Sequence, residues 1–190
     1  TLDGSEVVRN GSHLHSDGAH IAVAAGDSLL ILDATPRLGL LHQHAEPASI
    51  TTLVLRGDVV YYTTSDYELV ALNWRTGDSR RVATPHRLAI RYAALSPSGE
   101  RLALASHDHT TTVYDVASLT LQLHLYGHTN RVGAAAWRDE DTLVTNSWDY
   151  TVRTWPLAEA DRPPAQLREE VHARTGMTLA DGLPTYGTSD

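Results

Sequence analysis

Histidine, hydroxyl and carboxylate residues recur together along this chain, and each grouping has to be weighed for the chemistry it could do. His128, Ser147 and Asp149 hold the letters of a hydrolytic triad, and His86, Ser106 and Asp108 repeat them. A nucleophilic serine needs an exposed oxygen and an oxyanion hole, and we expect no catalytic residue here. The run His13-Leu14-His15-Ser16-Asp17-Gly18-Ala19-His20 approaches an H-x-H-x-D-H zinc order. That order places its last histidine at position 18, where Gly18 stands. His42 with His44, and His107 with His109, offer two ligands each, since alternate strand positions share a face. No third ligand converges on either pair in the sequence, so solvent-facing histidines and no bound metal are expected. Glycines are scattered through turns without a phosphate-binding loop, and Asp139-Glu140-Asp141 falls in an expected hairpin loop where solvated charge is the default. No cofactor is implied.

The elements that must position these residues repeat. Tyr62-Thr63-Thr64-Ser65-Asp66-Tyr67, Ala105-Ser106-His107-Asp108-His109 and Asn146-Ser147-Trp148-Asp149-Tyr150 each end a hydrophobic strand in a hydroxyl residue, a spacer and an aspartate. Asp66 and Asp108 lie 42 residues apart, and Asp108 and Asp149 lie 41 apart. A period of roughly 40–45 residues with several short strands per unit is the signature of β-propeller blades. Short β-rich runs at 21–25, 29–32, 50–55, 59–63, 69–73, 90–95, 102–105, 111–115, 119–125, 132–137 and 143–145 are separated by turn signals such as Arg75-Thr76-Gly77-Asp78 and Ser96-Pro97-Ser98-Gly99.

The last unit carries a family likeness. It opens with Gly127-His128, continues through Val132, Ala134 and Trp137, passes Ser147-Trp148-Asp149 and closes on Trp155, with Pro156 where an aspartate is usual. It resembles a WD repeat. The resemblance implies a chain of hydrogen bonds in which four polar groups satisfy one another: the aspartate serves its turn and the histidine, the histidine reaches the hydroxyl, and the hydroxyl meets the indole. Carried over, that structural tetrad is His128, Ser147, Asp149 and Trp155. The preceding unit keeps His86, Ser106 and Asp108 with Tyr114 at the tryptophan position. The unit before it keeps Thr64 and Asp66, with Leu72 at that position. The expected architecture is all-β, a partial propeller of about four blades at 1–44, 45–85, 86–126 and 127–157, followed by a tail at 158–190. In the tail, Pro163-Pro164 precede a stretch, 165–174, that reads as a short helix. Thr1 to Val8 align with Leu125 to Val132, so the first residues read as the outer strand of an earlier blade.

Composition limits the function classes. The net charge of −8 disfavours nucleic-acid and anionic-membrane surfaces. There is no cysteine for disulfides or thiolate metal sites, and a cytoplasmic location is expected. All basic residues are arginine, and lysine and phenylalanine are absent, a coding bias that suggests a GC-rich bacterial genome. The reading is a protein–protein interaction scaffold, the carboxy-terminal segment of a larger protein. Its anchors are expected beside the tetrad turns: Tyr67, His107, His109, Trp148 and Tyr150, with Arg87 and Arg131 from the connecting loops. Trp, Tyr and Arg bury large areas while keeping a polar handle. The alternative is a regulatory or sensor segment of a multidomain bacterial serine/threonine kinase or signalling NTPase, whose phosphate-binding motifs would precede Thr1. Should the natural chain be this short, two copies closing a ring are expected.

Overall fold

A computed structural model describes residues 13–159, 177–180 and 183–186. The chain divides into two compact units, Thr1–Thr154 and Trp155–Asp190. In the first, antiparallel meanders follow one another. β1 (His13–Ser16), β2 (His20–Ala25), β3 (Ser28–Asp33) and β4 (Leu40–Ala45) form one sheet in chain order. β5 (Ile50–Arg56), β6 (Val59–Thr64), β7 (Glu68–Asn73) and β8 (Ser79–Ala83) form the next. β9 (Ile90–Leu95), β10 (Arg101–Ser106), β11 (Thr111–Asp115) and β12 (Leu121–Leu125) form the third, and β13 (Val132–Asp139), β14 (Thr142–Ser147) and β15 (Val152–Pro156) the fourth. This all-β succession is consistent with propeller blades. The strand runs expected from the sequence are present, but β8 was not among them, because its exposed Ser-Arg-Arg start carries no apolar run.

Alternation along each strand decides which neighbour a side chain meets. On β6, Val60 and Tyr62 join a core with Ala22, Leu29 and Ile31 of the first sheet. Tyr61 between them joins Ile90, Leu102 and Leu104 of the third. Likewise Val70 and Leu72 face the first sheet while Leu69 and Ala71 face the third. The second sheet is therefore buried on both faces, and each fully buried aliphatic side chain in these layers contributes about 1.5–3 kcal/mol. Outer strands β4, β8 and β12 carry only exposed and half-buried residues.

Blades are also stitched by polar contacts. The indole N–H of Trp137 donates to the Ala94 carbonyl at 2.9 Å. Glu140 accepts from the Ser98 N–H and, at 2.8 Å, from the Ser98 hydroxyl. Its role corrects the expectation that the acidic loop at 139–141 is merely solvated: the carboxylate caps the hairpin turn of the neighbouring sheet.

In the second unit, a short 3-10 turn (Leu157–Glu159) is described, along with strands β16 (Met177–Ala180) and β17 (Leu183–Tyr186), which pair antiparallel. The sheet count thus exceeds the four expected, and strand pairing occurs where the prolines had suggested none. Asp181-Gly182, the dipeptide between the two strands in sequence, is a strong hairpin signal. The helix expected at 165–174, and the outer strand expected at the start of the chain, lie outside the described residues.

Candidate functional site

The polar chain around each turn aspartate is built, with one substitution of member. His128 Nδ1 meets Asp149 Oδ2 at 2.8 Å, and its Nε2 meets Thr145 Oγ1 at 2.8 Å. A carboxylate only accepts, so Nδ1 carries a proton and donates to Asp149. Asp149 Oδ2 also accepts from the Thr129 N–H, while Oδ1 accepts from the N–H and hydroxyl of Thr151. Burial opposes ionisation of Asp149, but the bonds from Thr151, Thr129 and His128 outweigh it and hold the carboxyl well below its ordinary range. Ser147 is not the histidine's partner, contrary to expectation. Its hydroxyl accepts from the Asp149 N–H at 3.1 Å and donates to the Asn130 carbonyl at 3.0 Å, clipping the turn to the loop beside it. Trp155, the expected closing member, stands on β15 of the same sheet.

The third sheet repeats the arrangement with a different hydroxyl. His86 Nδ1 meets Asp108 Oδ2 and its Nε2 meets Thr112 Oγ1, both at 2.9 Å. Ser106, like Ser147, binds its turn N–H and a loop carbonyl, that of Leu88. The position four residues before the aspartate explains the switch. Thr145 holds it before Asp149, but Leu104 holds it before Asp108, so the hydroxyl comes from β11 instead. Asp108 is held well below its ordinary range against the push of burial by His86, Thr110 and Arg87. At the tryptophan position, the buried Tyr114 hydroxyl has no hydrogen-bond partner among the described residues, and burial pushes its pKa up to about 12.

In the second sheet the expected pair is not built. Thr64 only accepts a long contact from the Glu68 N–H, and the exposed Asp66 makes no side-chain hydrogen bond among the described residues. Four positions before Asp66 stands Tyr62, and its hydroxyl donates to the buried Glu46. Arg81 closes on both Glu46 oxygens at 3.0 and 2.9 Å and on Glu68 at 2.6 Å, and His44 Nε2 approaches Glu46 at 3.2 Å. A charged Glu–Arg–Tyr cluster, which sequence reasoning missed, replaces the histidine.

The triad letters therefore have structural tasks, and both nitrogens of His128 are committed elsewhere than Ser147. The zinc-like run is also absorbed: His15 Nδ1 accepts from the Leu55 N–H, Asp17 accepts from the N–H groups of Ala19, His20 and Gly57, and His20 packs edge-on against Trp74. Among the described residues no group of three or more His, Asp or Glu is placed to hold a metal ion.

Of the expected binding residues, His107 and Trp148 line one cleft and Tyr67 another at the rim that carries these turns. Tyr67, His109 and Tyr150 each follow a turn aspartate with left-handed backbone, at φ 62°, 75° and 64°. The first sheet joins the same two strands by a shorter turn, Gly26-Asp27, with Gly26 at φ 64°. A side chain in this region costs about 1–2 kcal/mol that glycine avoids. Trp148 is 57 % exposed, with the Arg131 guanidinium 5.2 Å from its ring centroid and the His107 ring 6.3 Å away. His107 and Trp148 line a cleft of about 380 Å³ with Arg91, Tyr92, His13 and Gly133, and Arg131 stands beside it over the Trp148 ring. A second cleft of about 410 Å³, lined by Tyr67, Ser49, Ser65 and Thr51, is joined to the first by Arg91. Arg87 stands apart, in a hollow with His124 and Tyr126.

Arg91, His13 and Tyr92 were missed by sequence reasoning, and the cause is a bulge. Ala105 pairs with Tyr92 and Ser106 with Ile90, leaving Arg91 as the extra residue. Thr51 and Gly133 are the extra residues at the same rim end of the second and fourth sheets. Bulges re-aim side chains, and of the three at this rim only that of the third sheet carries a cation.

Comparison with known proteins agrees with the repeat. Residues 119–156 match the family described as WD domain, G-beta repeat. The ribosome biogenesis protein WDR12 homolog of Drosophila sechellia is 28 % identical over 116 residues, covering 50 % of this chain and 28 % of its own length. That of Drosophila persimilis is 25 % identical over 138 residues, covering 60 % and 33 %. The chain thus spans about a third or less of the curated relatives it matches. The computationally designed Ika4 protein superposes with a TM-score of 0.68 at 23 % identity, covering 83 % of this chain and 96 % of that one, a likeness of fold. These relatives are eukaryotic, and the bacterial setting expected from coding bias finds no support in them.

Proposed function

We propose that this segment is a protein-interaction scaffold that engages its partner across the rim joining Tyr67, Arg91, His107, Trp148 and Arg131. The observation that carries the reading is the left-handed backbone of Tyr67, His109 and Tyr150. Three successive blades accept a left-handed cost that glycine would avoid, and in return each presents an aromatic ring at one rim. Strain retained at a site is a pointer to function. WD-repeat proteins serve as interaction scaffolds, and the relatives named for ribosome biogenesis supply a candidate process, one of assembly between macromolecules. A cytoplasmic location is part of the same proposal and rests on composition alone.

Panning a displayed peptide library on the full chain tests it. Recovered peptides should weaken at least about tenfold on Trp148→Ala, as expected of an interface anchor, and be indifferent to Arg153→Ala on exposed β15. Peptides that bind both variants as they bind the parent would contradict the rim as the binding face.

A further inference from the structure

We infer that the rim cleft centred on Arg91 takes an acidic peptide segment with aromatic side chains; this rests on the scaffold reading and names the partner's chemistry. The first support is unspent charge. Arg75, Arg81, Arg101 and Arg138 each pair with a carboxylate. Arg91 and Arg131 have no ion pair among the described residues, although the protein carries a net charge of −8. An exposed cation kept clear of a surplus of carboxylates leaves a local positive potential, and such potentials select partners of opposite sign.

Geometry gives the second support. Arg91 is the bulge residue of its sheet and borders both clefts, so one guanidinium can reach a ligand lying along either. Arg131 lies over Trp148 with His107 close by, which places a second cation and a flat apolar face at one end. Two joined clefts spanning turns from three blades fit an extended chain better than a compact small molecule. Tyr92, Trp148 and Tyr67 along the path suit aromatic side chains, which pair edge-to-face or offset. His107 and His13 are pushed below their ordinary range, first by burial and then by the neighbouring arginines, which agrees with a positive field in the cleft. Of the three turn aspartates, Asp108 and Asp149 are fully engaged, whereas Asp66 stands unpartnered beside Tyr67 among the described residues. The acidic part of the peptide therefore seats at the Arg91–Arg131 end.

Fluorescence anisotropy with the full 190-residue chain tests this. The probe is a fluorescein-labelled octapeptide of alternating glutamate and tyrosine, set against its Gln–Tyr and Lys–Tyr counterparts and an oligothymidine of eight nucleotides. The Glu–Tyr peptide should bind about tenfold or more tighter than the others and weaken as salt rises. Arg91→Glu and Arg131→Glu should each weaken it by about tenfold, with Arg91→Gln intermediate and Arg153→Glu within about twofold of the parent. Thermal unfolding of each variant establishes that the exposed substitutions leave the fold intact. Equal binding of the Gln–Tyr or Lys–Tyr peptide would overturn the acidic preference while leaving the rim as a protein-binding face. Tighter binding of the oligothymidine would overturn the peptide in favour of nucleic acid, and absence of binding by every probe would overturn the inference.

Discussion

At the scale of residues, the informative position lies four before each turn aspartate. Tyr62, Leu104 and Thr145 occupy it, and the three polar clusters follow from that difference. With threonine, the hydroxyl closes on His128 from β14. With leucine, Thr112 on β11 supplies it, and with tyrosine the partner becomes Glu46. Thr145→Val should therefore cost about 1–3 kcal/mol by leaving a buried histidine nitrogen unpaired, whereas Ser147→Ala should cost less than about 1 kcal/mol; urea unfolding separates them. Sequence could not make that choice, because positions 145 and 147 share a face and both carry a hydroxyl. The aspartates also set an acid limit. Their folded pKa values lie below the ordinary 3.8, so the stability they lend is complete above that value and is lost as pH falls through it toward the lowered one. Melting temperature should drop on acidification from about pH 5 to about pH 3, and Asp149→Asn should flatten that slope. A slope unchanged by Asp149→Asn would mean the acid response arises elsewhere.

At the scale of elements, the aspartate period marked the blades, because Asp108 and Asp149 hold their turns and the strands between have little freedom of length. What stayed hidden were features with no residue signature. The bulges at Thr51, Arg91 and Gly133 are a matter of register, and an Arg in a strand reads as outward-facing wherever it sits. The outer strand β8 opens on Ser79-Arg80-Arg81 and has too short an apolar run to read as a strand, and β16 and β17 were masked by Pro184. The third sheet retains two unresolved costs, the Thr111 and Tyr114 hydroxyls buried without a hydrogen-bond partner among the described residues. Tyr114→Phe should raise stability by about 1 kcal/mol, or about 2–4 °C in melting temperature for a chain of this size. A loss of similar size would show that the hydroxyl is satisfied.

At the scale of the molecule, two demands act on the same turns. The left-handed backbone after each of these turn aspartates favours glycine, while the binding reading requires the rings of Tyr67, His109 and Tyr150. Net relief on removing one ring should be about 0.5–1 kcal/mol, the left-handed cost less the entropy glycine adds to the unfolded chain. A scaffold so arranged trades stability for contact area at one rim. The most direct measurement is the affinity of the library-selected peptides for a Tyr67→Gly, His109→Gly, Tyr150→Gly variant, taken on protein whose melting point has been recorded. We predict a chain that melts several degrees higher and binds at least about tenfold more weakly. Undiminished binding by the more stable variant would contradict the account, because the strained rings would then do nothing for the partner.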